Sequence, residues 1–172
     1  VIGSGQHTNS HLYTINGYVH QAPYTFYTQQ GKADLPPGYE KGQNSRFSRE
    51  IGFECMSCHN AYPNHVENTL NQYNSVPNGI DCERCHGAGE FHVNEKRNGV
   101  YVDIQNEIDY SIVNPAKLDN ELQFDVCRRC HLQGTSILKN GKNWDDFNPG
   151  TLLSETMETY LPKYENDESF IM

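Results

Sequence analysis

The stretch Cys82-Glu83-Arg84-Cys85-His86, with Gly87, Gly89 and His92 just behind it, decides how the rest of the chain is read. Cys-x-x-Cys-His is the attachment motif of c-type haem. Two thiols three positions apart reach the two vinyl groups of one porphyrin as thioethers. The next residue then sets an imidazole nitrogen on the iron from the same side. The motif recurs as Cys55-Met56-Ser57-Cys58-His59 and as Cys127-Arg128-Arg129-Cys130-His131, so all six cysteines are used. The expectation is three haem c groups, on Cys55/Cys58, Cys82/Cys85 and Cys127/Cys130, with His59, His86 and His131 as proximal iron ligands.

Other uses of paired cysteines fit poorly. A tetrahedral zinc ribbon consumes two Cys-x-x-Cys pairs, and three pairs strand one. A disulfide framework has no reason to put histidine after every second cysteine. Histidine is 8 of 172 residues. That coincidence at three unrelated pairs is on the order of one in ten thousand. A redox-active dithiol accompanies a βαβ pattern, and none is visible.

Composition points the same way. The apolar fraction is 35% and the mean hydropathy is −0.78, poor material for a self-sufficient core. Glycine, proline, asparagine and tyrosine are abundant instead, which without a cofactor reads as loops around a small core. Three porphyrins change that reading, because the chain can wrap their flat apolar faces. The expected fold is therefore mostly irregular, with a few short α-helices and little β, cored by haem. The formal charge of −9, made more negative by haem propionates, argues against nucleic acid and anionic membranes as partners. No apolar run approaches the roughly 18 residues of a transmembrane segment. Thioether attachment of haem takes place outside the cytoplasm, so the chain is read as mature and exported, extracellular or periplasmic. Its abrupt ends, Val1-Ile2-Gly3 and Phe170-Ile171-Met172, are read as those of a processed part of something longer.

At this length the chain is expected to be one multihaem domain over 1–172, with a haem-free segment 1–50 that donates axial ligands and a haem-binding region 51–172. Gly3-Ser4-Gly5 is a flexible turn. Tyr13 to Val19 around Asn16-Gly17 predicts a hairpin, which Tyr24 to Tyr27 extends. Leu35-Pro36-Pro37-Gly38 is a rigid turn. The first motif sits on one or two helical turns cut short by Pro63, and Ser75 to Asp81 is a loop. Loose alternation through Tyr101, Ile104, Ile108, Tyr110 and Ile112 predicts one short strand or extended strip. Asn114-Pro115 starts a new element with asparagine as its cap. A helix is expected from about Asp119 to Gln133, stopped by Gly134, and a second from Thr151 to Leu161, ended by Pro162.

The runs Glu54-Cys55-Met56-Ser57-Cys58-His59-Asn60, Gly79-Ile80-Asp81-Cys82-Glu83-Arg84-Cys85-His86-Gly87 and Val126-Cys127-Arg128-Arg129-Cys130-His131-Leu132-Gln133-Gly134 carry a family resemblance. So do Ile2-Gly3-Ser4-Gly5, Asn44-Ser45-Arg46-Phe47-Ser48-Arg49 and Ile112-Val113-Asn114-Pro115-Ala116. The chain resembles multihaem c-type cytochromes related to the tetrahaem electron acceptor of bacterial hydroxylamine oxidation. The resemblance implies an exported, helix-poor electron-transfer protein with closely packed haems. It also implies a distal-ligand role for His92, behind the glycine-rich turn.

Each iron needs a ligand opposite its motif histidine, and five histidines remain. Met56 lies inside a motif and points away from its own haem, while Met157 sits in an apolar stripe, so bis-histidine ligation leads. Besides His92, the pair His7 and His11 are candidate distal ligands, because histidine is dense in a segment with no haem of its own. His20 and His65 read as surface histidines bonded to tyrosine or backbone. His92 is expected to serve a haem other than the one at Cys82/Cys85, six residues being short to reach the opposite face. The functional expectation is extracytoplasmic electron transfer, with redox proteins or further copies of the chain as partners. A head-to-tail homopolymer, an extracellular cytochrome filament or nanowire, is one form of this. The alternative is a reductase of small nitrogen compounds with one five-coordinate haem.

Overall fold

The computed structural model describes residues 1–3, 5–42, 46–131 and 134–161. Its contacts divide the chain into two units, Val1–Asp81 and Cys82–Met172. The first contains one haem motif and the second contains two. Short helices and small sheets are set in largely irregular chain, as composition requires.

The first unit is built on a hairpin. Strands β1 (Thr8–Ile15) and β2 (Tyr18–Tyr27) pair antiparallel, and β3 (Lys32–Asp34) adds to the far side of β2. Asn16 and Gly17 carry φ of 52° and 83°, the left-handed pair that a two-residue turn needs to match strand twist. The predicted hairpin and its extension to Tyr27 are both present. The register slips between Ser10, opposite Thr25, and Leu12, opposite Gln21. Pro23 falls in that slip, where a residue with no N–H does least harm to the ladder. His11 sits opposite the same irregularity. Helix α1 (Phe53–His59) carries the first motif for two turns, and β4 (Asn64–His65) pairs with β5 (Tyr73–Ser75). Val19, Ile51, Met56 and Tyr73 form the buried cluster, so the haem-free N-terminal residues share a core with the first motif. The Tyr73 hydroxyl donates to the Ile51 carbonyl at 3.0 Å inside it.

The second unit runs through α2 (Glu83–His86), α3 (Glu90–Arg97) and α4 (Asn120–Arg128), then the antiparallel pair β6 (Thr135–Leu138) and β7 (Met157–Tyr160). Val126, Phe147, Leu153 and Met157 are its buried cluster. Asn114 caps a 3₁₀ turn at Pro115–Lys117, its side chain accepting from the Ala116 N–H at 3.1 Å. The expected cap is there, on a shorter element.

Three expectations fail here. No helix spans Thr151 to Leu161: a 3₁₀ turn at Leu153–Glu155 leads straight into β7. Leu153 and Met157 are buried, but Tyr160 and Leu161 are 56% and 68% exposed, so the supposed helical stripe is half empty. Pairing with β6 wins over a short helical period. No strand forms over 100–113 either. Asp103 turns the chain by accepting from the Gln105 N–H and the Asn106 side chain, and Asp109 does the same for Ser111. Helix α4 ends at Arg128 rather than near Gln133, which lies outside the described residues, as do Ser4 and Pro162. Gly134 has its own reason to be glycine: a Cβ there would collide with the Tyr160 carbonyl across the β6–β7 pair.

Candidate haem sites

Each motif folds as one helical turn. The first lies within α1. In the second, the His86 N–H donates to the Cys82 carbonyl at 3.0 Å, and in the third the His131 N–H donates to the Cys127 carbonyl at 2.9 Å. Such a turn brings positions i, i+3 and i+4 to one side and turns i+2 to the other. Both cysteines and the histidine of a motif therefore share a face, which is the arrangement a porphyrin edge and its iron require. No disulfide joins any of the six cysteines. Burial raises the thiol pKa at Cys55, helped by Glu54, and at Cys85, helped by Cys127 and Cys82. That Cys127 is among the groups acting on Cys85 makes the second and third motifs neighbours.

The imidazoles at His86 and His92 are prepared in the same way. His86 Nδ1 lies 2.8 Å from the Val113 carbonyl. A carbonyl only accepts, so Nδ1 carries the proton and Nε2 keeps its lone pair. His92 Nδ1 lies 2.8 Å from Ser111 Oγ, which itself donates to Asp109. With its own hydrogen committed, the serine oxygen accepts from Nδ1, and Nε2 is again left basic. Lys96 holds Asp109 at 2.8 Å. That hydrogen bond, with those from Ser111, keeps the Asp109 carboxyl well below the usual carboxylate range. Histidines that ligate metals characteristically anchor the second nitrogen on an oxygen in this manner.

Two cavities flank this region. One, of about 570 Å³, is lined by Cys82, His92, Val93, Arg97 and Ile112 among others. The other, of about 460 Å³, is lined by His86, Tyr110, Val113, Lys117 and Leu118. Each offers apolar surface to a porphyrin face and one cation to its propionates, Arg97 in the first and Lys117 in the second, with carboxylates also in the lining: Glu83 and Glu90 in the first, Asp109 in the second. Gly87, at φ 75°, borders both, and Gly89 donates its N–H to Glu83 at 2.7 Å. Cys82 and His92 line the first cavity and His86 lines the second.

The remaining histidines differ. His59 ends α1 half-buried, and His131 is exposed beyond α4. His11 stacks on Tyr24 at 4.9 Å, with a buried Nδ1 that has no hydrogen-bond partner. His7 Nδ1 meets Gln29 Nε2 at 2.9 Å. As placed, that amide donates and leaves the proton on Nε2, the reverse of His86 and His92; a half-turn of the amide exchanges the roles. His20 stacks on Tyr13. His65 is held between Phe53 at 5.0 Å and Tyr73 at 5.1 Å, packed on the first residue of α1 rather than bonded at the surface. Met56 and Met157 are both buried in apolar clusters.

Sequence reading missed Asp145. This carboxylate takes Arg84 at 2.8 Å and Arg129 at 3.9 Å, the i+2 residues of the second and third motifs. Burial raises its pKa while the two guanidiniums pull it back. Nothing in Trp144-Asp145-Asp146 distinguishes it locally from a polar loop.

A family model described as cytochrome c554 and c-prime matches residues 19–87, which include the first and second motifs but less than half the chain. The match supports a multihaem c-type cytochrome, with haem c as its cofactor and electron transfer as its work. No curated protein matches the chain. Among solved structures the chain is similar to the outer cell wall cytochrome OcwA, at 18% identity and a TM-score of 0.48. That similarity covers 86% of this chain and 28% of the other, so the chain spans less than a third of that protein's length.

Proposed function

We propose that the chain is an exported electron carrier, extracellular or periplasmic, that holds three haem c groups. Cys55/Cys58, Cys82/Cys85 and Cys127/Cys130 would anchor them, with His59, His86 and His131 as proximal ligands. His92 is the distal ligand best supported, and His11 and His7 are further candidates. Haem iron between two imidazoles exchanges single electrons at low potential and is closed to small ligands. The observation that carries this reading is the matched preparation of His86 and His92, each with Nδ1–H bound to an oxygen and Nε2 left basic. The chain's own residues orient these rings through Val113, Ser111 and Asp109, and offer Arg97 and Lys117 to the propionates. No described helix is long and apolar enough to cross a membrane.

Redox proteins are the natural partners. A finer form of the proposal has the N-terminal hairpin give an imidazole to a haem of a neighbouring copy, building a filament with a continuous haem chain. Its support is the placement of His11 and His20 on a hairpin that lacks a haem motif, with His7 just before it. Deleting residues 1–20 should then abolish polymers together with one or more low-spin haems; an intact chain that stays monomeric at all concentrations rules that form out. The carrier reading itself is tested by exposing the reduced protein to carbon monoxide. Little or no binding is expected, whereas near-stoichiometric binding would favour a reductase of small nitrogen compounds with one five-coordinate haem.

A further inference from the structure

The two motifs of the second unit differ from the first in what lies behind their haem faces. Within a motif turn the i+2 residue points away from the cysteines and histidine. In the first motif that residue is Ser57, fully buried, whose hydroxyl donates to the Glu54 carbonyl at 2.9 Å beside the buried Met56. In the second and third it is Arg84 and Arg129, with side chains only 6% and 3% exposed. The i+1 residues take other roles: Glu83 accepts from Gly89, and Arg128 pairs with Asp125 at 3.0 Å.

Both buried guanidiniums close on Asp145 Oδ1, and Arg129 also donates to the carbonyl of Trp144 next to it. Burying charges is an expensive way to back a helical turn, and well-packed apolar groups do as well or better. Ser57 and Met56 show that a neutral backing serves a haem motif in this same chain. What the ionic backing does that a neutral one does not is join two motifs. Arginine suits the task, since its planar fork keeps its charge and direction when buried.

We propose that Asp145 is a positioning residue that ties the Cys82–His86 and Cys127–His131 loops together through Arg84 and Arg129, fixing the placement of their two haems for electron passage. Its carboxylate also contributes negative charge behind both loops at once, which favours the oxidised state of both.

This rests on the three-haem reading, and the test separates the two. Holoprotein carrying Asp145→Asn is compared with the parent by mass, by electron paramagnetic resonance and by redox titration, with haem signals assigned by proton magnetic resonance. The mass reports the haems independently: a chain without them refutes the underlying reading. With the haems present, the expected result is that the signals attached at Cys82/Cys85 and Cys127/Cys130 both change and both potentials rise, while the signal at Cys55/Cys58 stays put. A change at one haem or at none overturns the proposal. Should Asp145→Asn yield no holoprotein, Arg84→Lys decides, because it keeps charge and bulk but loses the fork. That change, made in the second motif, should shift the haem of the third. If only the haem at Cys82/Cys85 responds, Asp145 does not link the loops.

Discussion

The first motif is backed by an apolar cluster, the second and third by a buried ion cluster, and the two solutions fail differently. In the first unit Met56 sits at 0% exposure among Val19, Ile51 and Tyr73, so the rear of its motif turn is part of an ordinary small core. In the second, Arg84 and Arg129 are buried on a shared Asp145, next to Trp144, which packs on the Val126, Phe147, Leu153 and Met157 cluster. Apolar packing degrades in proportion to what is removed. An ion cluster degrades abruptly, because taking away one partner strands the others without water. One motif turn is thus supported singly, and two are supported in common.

The largest expected effect is at the shared support. Asp145→Ala should cost roughly 3–5 kcal/mol, the usual penalty for breaking a buried pair, and denaturation followed at the haem absorbance should show both haems of the second unit loosened. Met56→Ala is expected to cost about 2–5 kcal/mol, towards the low end if neighbouring side chains collapse into the space. Its effect should stay with the haem at Cys55/Cys58. Equal spread of both substitutions over all three haems would erase the contrast between the units. A smaller and more local effect is expected at His92→Ala: one haem becomes high-spin and gains carbon monoxide binding while the others keep their spectra. An unchanged low-spin spectrum would make His92 structural, and its bonds to Ser111 and Asp109 would then serve α3 alone.

What could be read from the chain was what local chemistry dictates. The haem motifs, the Asn16-Gly17 hairpin turn and the Asn114 cap each depend on a few adjacent residues, and the structure forms the turn and the cap as expected. The β6–β7 pair was not legible, because Thr135–Leu138 finds its partner in Met157–Tyr160 only through the fold between them. Leu153, Met157, Tyr160 and Leu161 satisfy a helical period by accident of spacing. Residues 100–113 alternate without a neighbouring strand to pair with, and aspartate side chains turn the chain instead. For the site, residue types and spacing pointed to His92, but its tautomer needs Ser111 and Asp109, which lie outside every motif. Asp145 left no trace in the sequence, since its meaning comes from two arginines brought to it by separate helical turns. Arg84 and Arg129 stand in the motifs with no role assigned from sequence; their common i+2 position in the second and third motifs was the available hint.

The number of haems the chain binds, and where, is the most direct question to put to it. Intact mass of the denatured holoprotein, followed by peptide mapping, measures both. The predicted result is an excess over the chain mass of three haems, with one haem-bearing peptide for each of Cys55/Cys58, Cys82/Cys85 and Cys127/Cys130. An excess of one or two haems, or a motif peptide recovered with free thiols, would contradict it.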